Sequence, residues 1–242
     1  MSRPHTTALL LLAALLAGCL TSSNQARVTA EYAATVDQVG VMSLLDALPN
    51  LSYLKQSAQE SRFGKLVMPG WDVQGLAQSV LGARLRRKGF EVSTVEPDAA
   101  IRAAHGKDWG APDSPALREA LHARGVTLGL DVLVVVSRQI SPDTVTGTNQ
   151  NIRGYGLQRA FDTGPHAYAV VYVQALDIDG GYAVGGAEGM QARTVPDELW
   201  QSGFDDARGE LDVASDQADA LREILTSLLT NAVGVAAQEA GL

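Results

Sequence analysis

The sequence predicts an α/β domain in which helices pack on a mixed sheet, with α+β as the alternative class. Three observations support this prediction. Segments with helical periodicity alternate with short apolar or β-branched runs that are typical of strands. Residues 130–137 are almost wholly apolar, as in strands that helices cover on both faces. The triplet Asp179-Gly180-Gly181 separates two Val- and Tyr-rich runs, which indicates an antiparallel hairpin.

Four strands are predicted in the first half of the domain from apolar and β-branched runs. They cover residues 36–45, 51–55, 63–68 and 90–95. We expect the first three to pair as an antiparallel set, because Pro49-Asn50 is a turn signal between the first and the second.

Four helices are predicted from capping residues and apolar spacing. Their starts are marked by Asp72, Asp98, Ser114-Pro115 and Ser215. Their ends are expected near Lys88, at His105, before Gly125 and at Gln238. The first and the last are amphipathic, with apolar positions three or four residues apart. In the last helix this buried face comprises Leu221, Ile224, Leu225, Leu228, Leu229 and Ala232.

The second half of the domain is predicted to hold three longer strands. They cover residues 130–137, 166–176 and 182–192. Residues 141–156 are polar and contain glycine, which indicates either a long loop or an exposed hairpin. The sequence therefore predicts a single domain over residues 36–242.

The composition limits the function classes. The 242 residues carry a formal net charge of -8 and no Lys- or Arg-rich stripe. This balance argues against nucleic-acid binding and against electrostatic adhesion to anionic lipid. Cys19 is the only cysteine, so no disulfide within the chain is expected.

The N-terminus has the layout of a secretory signal peptide. Arg3 and His5 give a short basic start, and an apolar run over residues 8–17 is too short to span a bilayer. Leu16-Ala17-Gly18-Cys19 resembles the lipobox of bacterial lipoproteins. The resemblance implies cleavage between Gly18 and Cys19, so that residues 1–18 are the signal peptide. The alternative is a plain secreted protein with an incidental cysteine.

The same resemblance implies where the mature protein lies. In this family the thiol of Cys19 receives a diacylglyceryl group and the new N-terminus is often acylated with a fatty acid such as palmitate. Leu20, where an aspartate would favour inner-membrane retention, implies the outer membrane facing the periplasm. Residues 19–35 are interpreted as the lipidated N-terminus and a tether.

Catalytic and metal motifs are incomplete. Asp162-Thr163-Gly164 has no second triplet, and Ser52 with Lys55 falls in a strand-like run and lacks its partner motif. The glycine pattern that starts at Gly154 has Arg159 at its last position, which excludes a dinucleotide-binding loop. The histidines of the mature chain, His105, His122 and His166, have no metal-ligand spacing. No catalytic residue, metal or cofactor is predicted.

These observations favour a non-enzymatic binding, assembly or accessory module with an envelope protein or a second copy as its partner. Trp71, Tyr155 and Arg159, together with the loop at residues 141–156, are the candidate contact surface. The element order and anchor are loosely similar to the periplasmic domains of envelope lipoproteins such as the curli secretion-channel lipoprotein and the penicillin-binding-protein activators. The alternative is a periplasmic hydrolase whose site is assembled only in the fold.

Overall fold

The computed structural model describes residues 26–57, 59–107, 114–144, 147, 150–160 and 162–242. The helices are α1 (Ala30–Ala33), α2 (Val73–Arg87), α3 (Ala99–Lys107), α4 (Pro115–Leu128) and α5 (Ser215–Glu239). The first strands are β1 (Gln38–Leu44), β2 (Asn50–Leu54), β3 (Arg62–Val67), β4 (Glu91–Thr94) and β5 (Val132–Arg138). The others are β6 (Ile140–Pro142), β7 (Asn151–Arg153), β8 (Tyr155–Ala160), β9 (His166–Asp177), β10 (Tyr182–Thr194) and β11 (Gly209–Asp212). The predicted α/β class is confirmed.

The main sheet divides into two arms at β9. Strand β10 pairs with β9 along its whole length, so the opposite edge of β9 holds both β8 and β5, one after the other. At the junction the Val170 amide donates to the Gly154 carbonyl at 2.6 Å, and the Val170 carbonyl accepts from the Gln139 amide at 3.2 Å. We call this point the sheet fork. The first arm continues as β5-β1-β4 and the second as β8-β2-β3-β11.

The two arms correct the predicted pairing of the first three strands. β2 and β3 are antiparallel neighbours as expected, but β1 lies in the first arm, parallel to β4 and β5. The segment at Pro49-Asn50 therefore carries the chain from one arm to the other instead of closing a hairpin with β1. The antiparallel set of three strands is wrong because helices cover both faces of β1, as they do in parallel sheets.

Helices cover both faces of the first arm. Val132, Val134 and Val136 of β5 pack into the core beneath α2 and α5. Leu133 and Val135 point the opposite way, into a second core beneath α3 and α4. The predicted burial of this strand on both faces is confirmed, and the apolar run follows from it, because alternate side chains meet different helices.

The caps of α2 and α3 are as predicted. An Asp72 carboxylate oxygen accepts from the Gly75 amide at 2.9 Å, and an Asp98 oxygen accepts from the Ile101 amide at 2.9 Å. Gly89 follows α2 with a φ of 96°, which is the left-handed stop expected there.

The ends of α3 and α4 and the start of α5 differ from their predictions; α3 ends at Lys107 instead of His105. α4 continues through Gly125 and ends at Leu128, with Gly129 as its left-handed cap at a φ of 64°. Glycine is needed at this position within the helix because a Cβ there would approach the Ile178 Cδ1 atom to 2.3 Å. Gly125 therefore allows close packing and does not end the helix. Ser215 is the first helical residue of α5, and the cap position is Ala214, which has no side-chain cap bond. The predicted buried face of α5 is confirmed.

Residues 141–156 form a hairpin and the start of a strand. β6 and β7 pair antiparallel over Ile140–Pro142 and Asn151–Arg153, which confirms a hairpin for these residues, although Ser141 and Ile152 are buried and the hairpin is not fully exposed. β8 then begins at Tyr155 and enters the main sheet, which the long-loop alternative did not anticipate.

The N-terminal segment packs against the domain from residue 26 onward. The Val28 amide donates to the Ala240 carbonyl at 2.9 Å, and the Tyr32 hydroxyl donates to Asp177 at 2.7 Å. These contacts hold α1 beside the amino end of β1. Within the described ranges, no helix combines the length and apolarity needed to cross a bilayer.

Candidate functional site

An open cleft of about 490 Å³ lies at the sheet fork. We call it the fork cleft. It lies where β1 and β5 end and where β2 and β8 begin. Its lining is mostly polar and charged and comprises Asp46, Ala47, Leu48, Asn50, Lys65, Arg138, Arg153 and Glu210.

The strand directions explain why charged side chains meet here. β1 and β5 are parallel, so Asp46 after β1 and Arg138 at the end of β5 reach the same edge of the sheet. In open α/β sheets, ligands bind outside the carboxyl ends of the strands, where the sheet changes course. The fork cleft occupies the corresponding place in this sheet.

Asp46 connects the two arms. Its Oδ1 atom lies 2.7 Å from Arg138 Nη1 in the first arm, and its Oδ2 atom lies 3.1 Å from Lys65 Nζ in the second. Its main-chain carbonyl accepts from the Tyr155 hydroxyl at 2.6 Å. Burial pushes the pKa of Asp46 upward, but the charges of Lys65 and Arg138 outweigh it and hold the pKa below its ordinary value.

A second set of contacts shapes the wall formed by β2 and β7. The Asn50 Nδ2 atom donates to the Arg153 carbonyl at 2.6 Å, which places the Arg153 main chain beside the start of β2. Burial and the charge of Arg138 lower the pKa of the Arg153 guanidinium. The two guanidinium groups are therefore close enough to repel each other.

The charges of Asp46, Arg138 and Arg153 also act on His105, near the end of α3. Burial lowers the pKa of this histidine, Arg138 and Arg153 lower it further, and Asp46 opposes them. Its Nε2 atom is buried and has no hydrogen-bond partner among the described residues. We infer a neutral imidazole at pH 7 beside a positively charged cleft.

The structure brings together two of the three residues predicted as a contact surface. The Trp71 and Tyr155 rings meet edge to face with centroids 5.6 Å apart. Arg159 lies farther along β8, with its Nη2 atom 4.0 Å from Asp197 Oδ1. The expectation that Tyr155 belongs to an exposed loop is wrong: its side chain is 1% exposed, because the start of β8 turns it into the core beside Trp71.

Thr163, Ser52, His122 and His166 do not line the fork cleft, whereas Gly154 of the incomplete glycine pattern lies beside Asn50 and Arg138. Thr163 takes part in a turn, with its amide donating to the Ala160 carbonyl at 3.2 Å, and Ser52 lies within β2. His166 contacts Gly164 and Thr194. His122 lies beside the turn at Gly181. In the part of the chain that the structure describes, no group of three or more His, Cys, Asp or Glu side chains is placed to hold a metal ion.

Sequence reasoning missed the residues that line the fork cleft. Asp46 and Arg138 were detectable in principle, since each directly follows an apolar run predicted as a strand. Lys65 and Arg153 were not, because their meeting depends on the division of the sheet at Val170. Cys19 and Gly18 lie outside the described residues, so the lipid attachment and the cleavage position stay predictions.

Comparison with known proteins gives only distant likenesses. No family model matches this chain, and no curated protein matches it. The PelC dodecamer from Paraburkholderia phytofirmans is 13% identical, with 86% of this chain and 94% of that chain covered and a TM-score of 0.33. Lipoprotein GNA1162 from Neisseria meningitidis is 13% identical, with coverages of 81% and 99% and a TM-score of 0.29. The LpoB C-terminal domain from Salmonella enterica is 11% identical, with coverages of 64% and 83% and a TM-score of 0.28.

All three TM-scores are below 0.35, and all three identities are below 15%. The function proposed below therefore depends on the residues of this chain.

Proposed function

We propose that this chain is a lipid-anchored protein of the bacterial envelope, on the periplasmic side of the outer membrane. In this proposal it is a non-enzymatic binding or assembly module that contacts a protein partner through the fork cleft. The observation that carries the proposal is the cleft itself: an open, charged cavity at the carboxyl ends of β1 and β5. The anchor is proposed from the lipobox that ends at Cys19.

The fork cleft and the N-terminal segment lie at opposite ends of β1. Tyr32 and its bond to Asp177 hold the segment at the amino end, and Asp46 follows the carboxyl end. The seven residues of β1 separate the two ends by about 23 Å at the usual rise of a strand. If the domain is held at the membrane by its N-terminal segment, the fork cleft lies at the opposite end of β1.

The proposed anchor keeps the domain close to the bilayer. Residues 19–26 span at most about 25 Å even when fully extended. Two or three acyl chains hold such a protein firmly, because one chain alone gives marginal binding and each buried CH₂ contributes about 0.8 kcal/mol. A partner must therefore lie within reach of the membrane surface.

Metabolic labelling with a fatty-acid probe tests the anchor. The wild-type protein is expected to take up the label and to fractionate with membranes. The Cys19→Ala variant is expected to lose both properties. Equal labelling of the two proteins would contradict the anchor.

Photo-crosslinking in intact cells tests the contact surface. A photoreactive residue at Glu210, in the lining of the cleft, is expected to capture a specific protein. The control is the same residue at Glu239, which is exposed and adjoins Ala240, the residue that accepts from the Val28 amide in the N-terminal segment. If both positions capture the same proteins, or neither captures any, the fork cleft is not the contact surface.

A further inference from the structure

One edge of the main sheet carries the N-terminal segment. Val39, Val132, Asp177 and Tyr182 pair in one row across β1, β5, β9 and β10. The Tyr32 hydroxyl of α1 donates to Asp177 in this row, so the N-terminal segment lies at the same edge. We call this row, with the helix ends that lie beside it, the anchor edge.

Three exposed apolar side chains lie at the anchor edge. Tyr182 is 55% exposed, Val126 is 59% exposed and Leu128 is 43% exposed, and we call these three the apolar patch. α4 leads directly into β5, so the last turn of α4 lies where β5 begins. The helix also meets the turn between β9 and β10, where a Cβ on Gly181 would approach His122 Cδ2 to 3.7 Å. His122 and Val126 are four residues apart and share a helix face, which brings Val126 towards the start of β10.

The end of α2 adds cations at the same edge. Arg87 and Lys88 are exposed, and the Lys88 Nζ atom donates to the Gly241 carbonyl at 3.1 Å. Lys88 and Val28 of the N-terminal segment line one open groove. Exposed acidic side chains such as Asp179 lie on this edge as well, so charge alone does not define what it contacts.

We propose that the anchor edge contacts the lipid bilayer, with the apolar patch at the membrane–water interface and the cations at the end of α2 beside lipid phosphates. This inference rests on the proposed function, in which Cys19 carries the lipid. Tyrosine rings are enriched at the depth of the lipid headgroups, and long cationic side chains reach the phosphates. The fork cleft then faces away from the membrane, because it lies at the other end of β1.

The start of the described chain selects the bilayer as the occupant. The Ala26 carbonyl accepts from the Gly186 amide of β10 at 2.9 Å, so the chain leaves the domain close to the anchor edge. The lipid at Cys19 is at most about 25 Å from this point. Such a short tether keeps the effective concentration of the bilayer high, so a contact that is weak by itself is well populated.

Fluorescence quenching of the full-length lipidated protein tests this proposal. The protein is reconstituted in vesicles of phosphatidylethanolamine and phosphatidylglycerol whose acyl chains are either ordinary or brominated. Acylation uses the thiol of Cys19, the only cysteine, so a cysteine introduced at Leu128 or Tyr182 alone reacts with a bimane fluorophore. Both probes are expected to shift their emission to the blue and to lose fluorescence in the brominated vesicles.

Phe63 provides the matched control, because it is an apolar side chain that is 57% exposed on β3. Its row crosses β2 and β8 and reaches β9 at His166. His166 and Asp177 are the two ends of β9, which separates this row from the anchor edge by about 36 Å at the usual rise of a strand. A probe at Phe63 is expected to keep its fluorescence. Equal quenching at the three positions, or quenching at none, would overturn the membrane contact.

Failure of this inference differs from failure of the proposed function. A blue shift at positions 128 and 182 without quenching by bromine would place a protein on the apolar patch, either a second copy or a partner, and would overturn the bilayer assignment. If the protein floats with the vesicles but neither probe is quenched, the anchor stands and this inference fails. If the wild-type protein does not float with the vesicles, the proposed anchor fails and this inference falls with it.

Discussion

Asp46 is the residue at which the two arms of the sheet are tied together. Its carboxylate contacts Arg138 in the first arm and Lys65 in the second, and its carbonyl accepts from Tyr155. The Asp46 side chain is 28% exposed, so these contacts are only partly screened by water. Much of the geometry of the cleft therefore depends on one acidic residue.

Replacing Asp46 with Asn is expected to destabilise the protein by about 1–3 kcal/mol at pH 7, because two cations lose their carboxylate. Urea unfolding measures the change. The control is Asp219→Asn, which removes an exposed i,i+3 partner of Arg222 and is expected to cost less than about 0.5 kcal/mol. Equal effects of the two variants would contradict the role of Asp46.

The contribution of Asp46 is expected to depend on pH in one direction. Its pKa is lowered in the folded protein, so the unfolded state takes up the proton first as the pH falls. The stabilisation is therefore fully present above the unfolded pKa, about 4, and disappears as the pH falls through the folded pKa. Unfolding curves of the wild type and Asp46→Asn should converge below that range; a constant difference down to pH 2 would argue against this ion-pair account.

Tyr155→Phe tests the other link between the arms. Removing the hydroxyl leaves the Asp46 carbonyl without this donor, and the expected loss is about 1–2 kcal/mol. Tyr182→Phe, at a side chain that is 55% exposed, is expected to change stability by less than about 0.5 kcal/mol. Urea unfolding of both variants makes the comparison, and an unchanged Tyr155→Phe protein would show that this hydrogen bond contributes little.

Elements with strong local signals were predictable from the sequence. A capping residue and apolar spacing located α2, apolar spacing located α5, and the apolar run located β5. The pairing of β1 was not predictable in the same way, because helices on both faces make its sequence compatible with parallel or antiparallel neighbours. β8 was not predicted, because its polar residues Gln158 and Arg159 are typical of a loop. They belong to the sheet because β8 pairs with both β2 and β9.

Gly125 gives a test at the level of one helix. Gly125→Ala is expected to destabilise the protein by about 1–3 kcal/mol, because the new methyl group meets Ile178 across the α4 packing surface. Gly234→Ala in α5 is the control, since its Cβ would meet nothing within 4 Å, and it is expected to stabilise by about 0.5–1 kcal/mol. Thermal or urea unfolding distinguishes the two. If both substitutions stabilise, Gly125 is not held against Ile178.

For the whole molecule, the sheet fork and the N-terminal segment lie at opposite ends of β1. The segment is fixed at the amino end of β1, and the charged cleft opens at its carboxyl end. The sequence alone pointed to the anchor and to a binding role, but it placed the contact surface on Trp71, Tyr155 and Arg159. The fork cleft comes from long-range pairing, which no local pattern encodes.

Anchoring is the claim that connects the compartment, the partner and the orientation of the cleft. Mass spectrometry of the N-terminal peptide from protein purified out of membranes tests it most directly. We expect a peptide that begins at Cys19 and carries the added mass of a diacylglyceryl group, with a further acyl chain on its amino group. A peptide with an unmodified cysteine, or one that retains residues 1–18, would contradict the account.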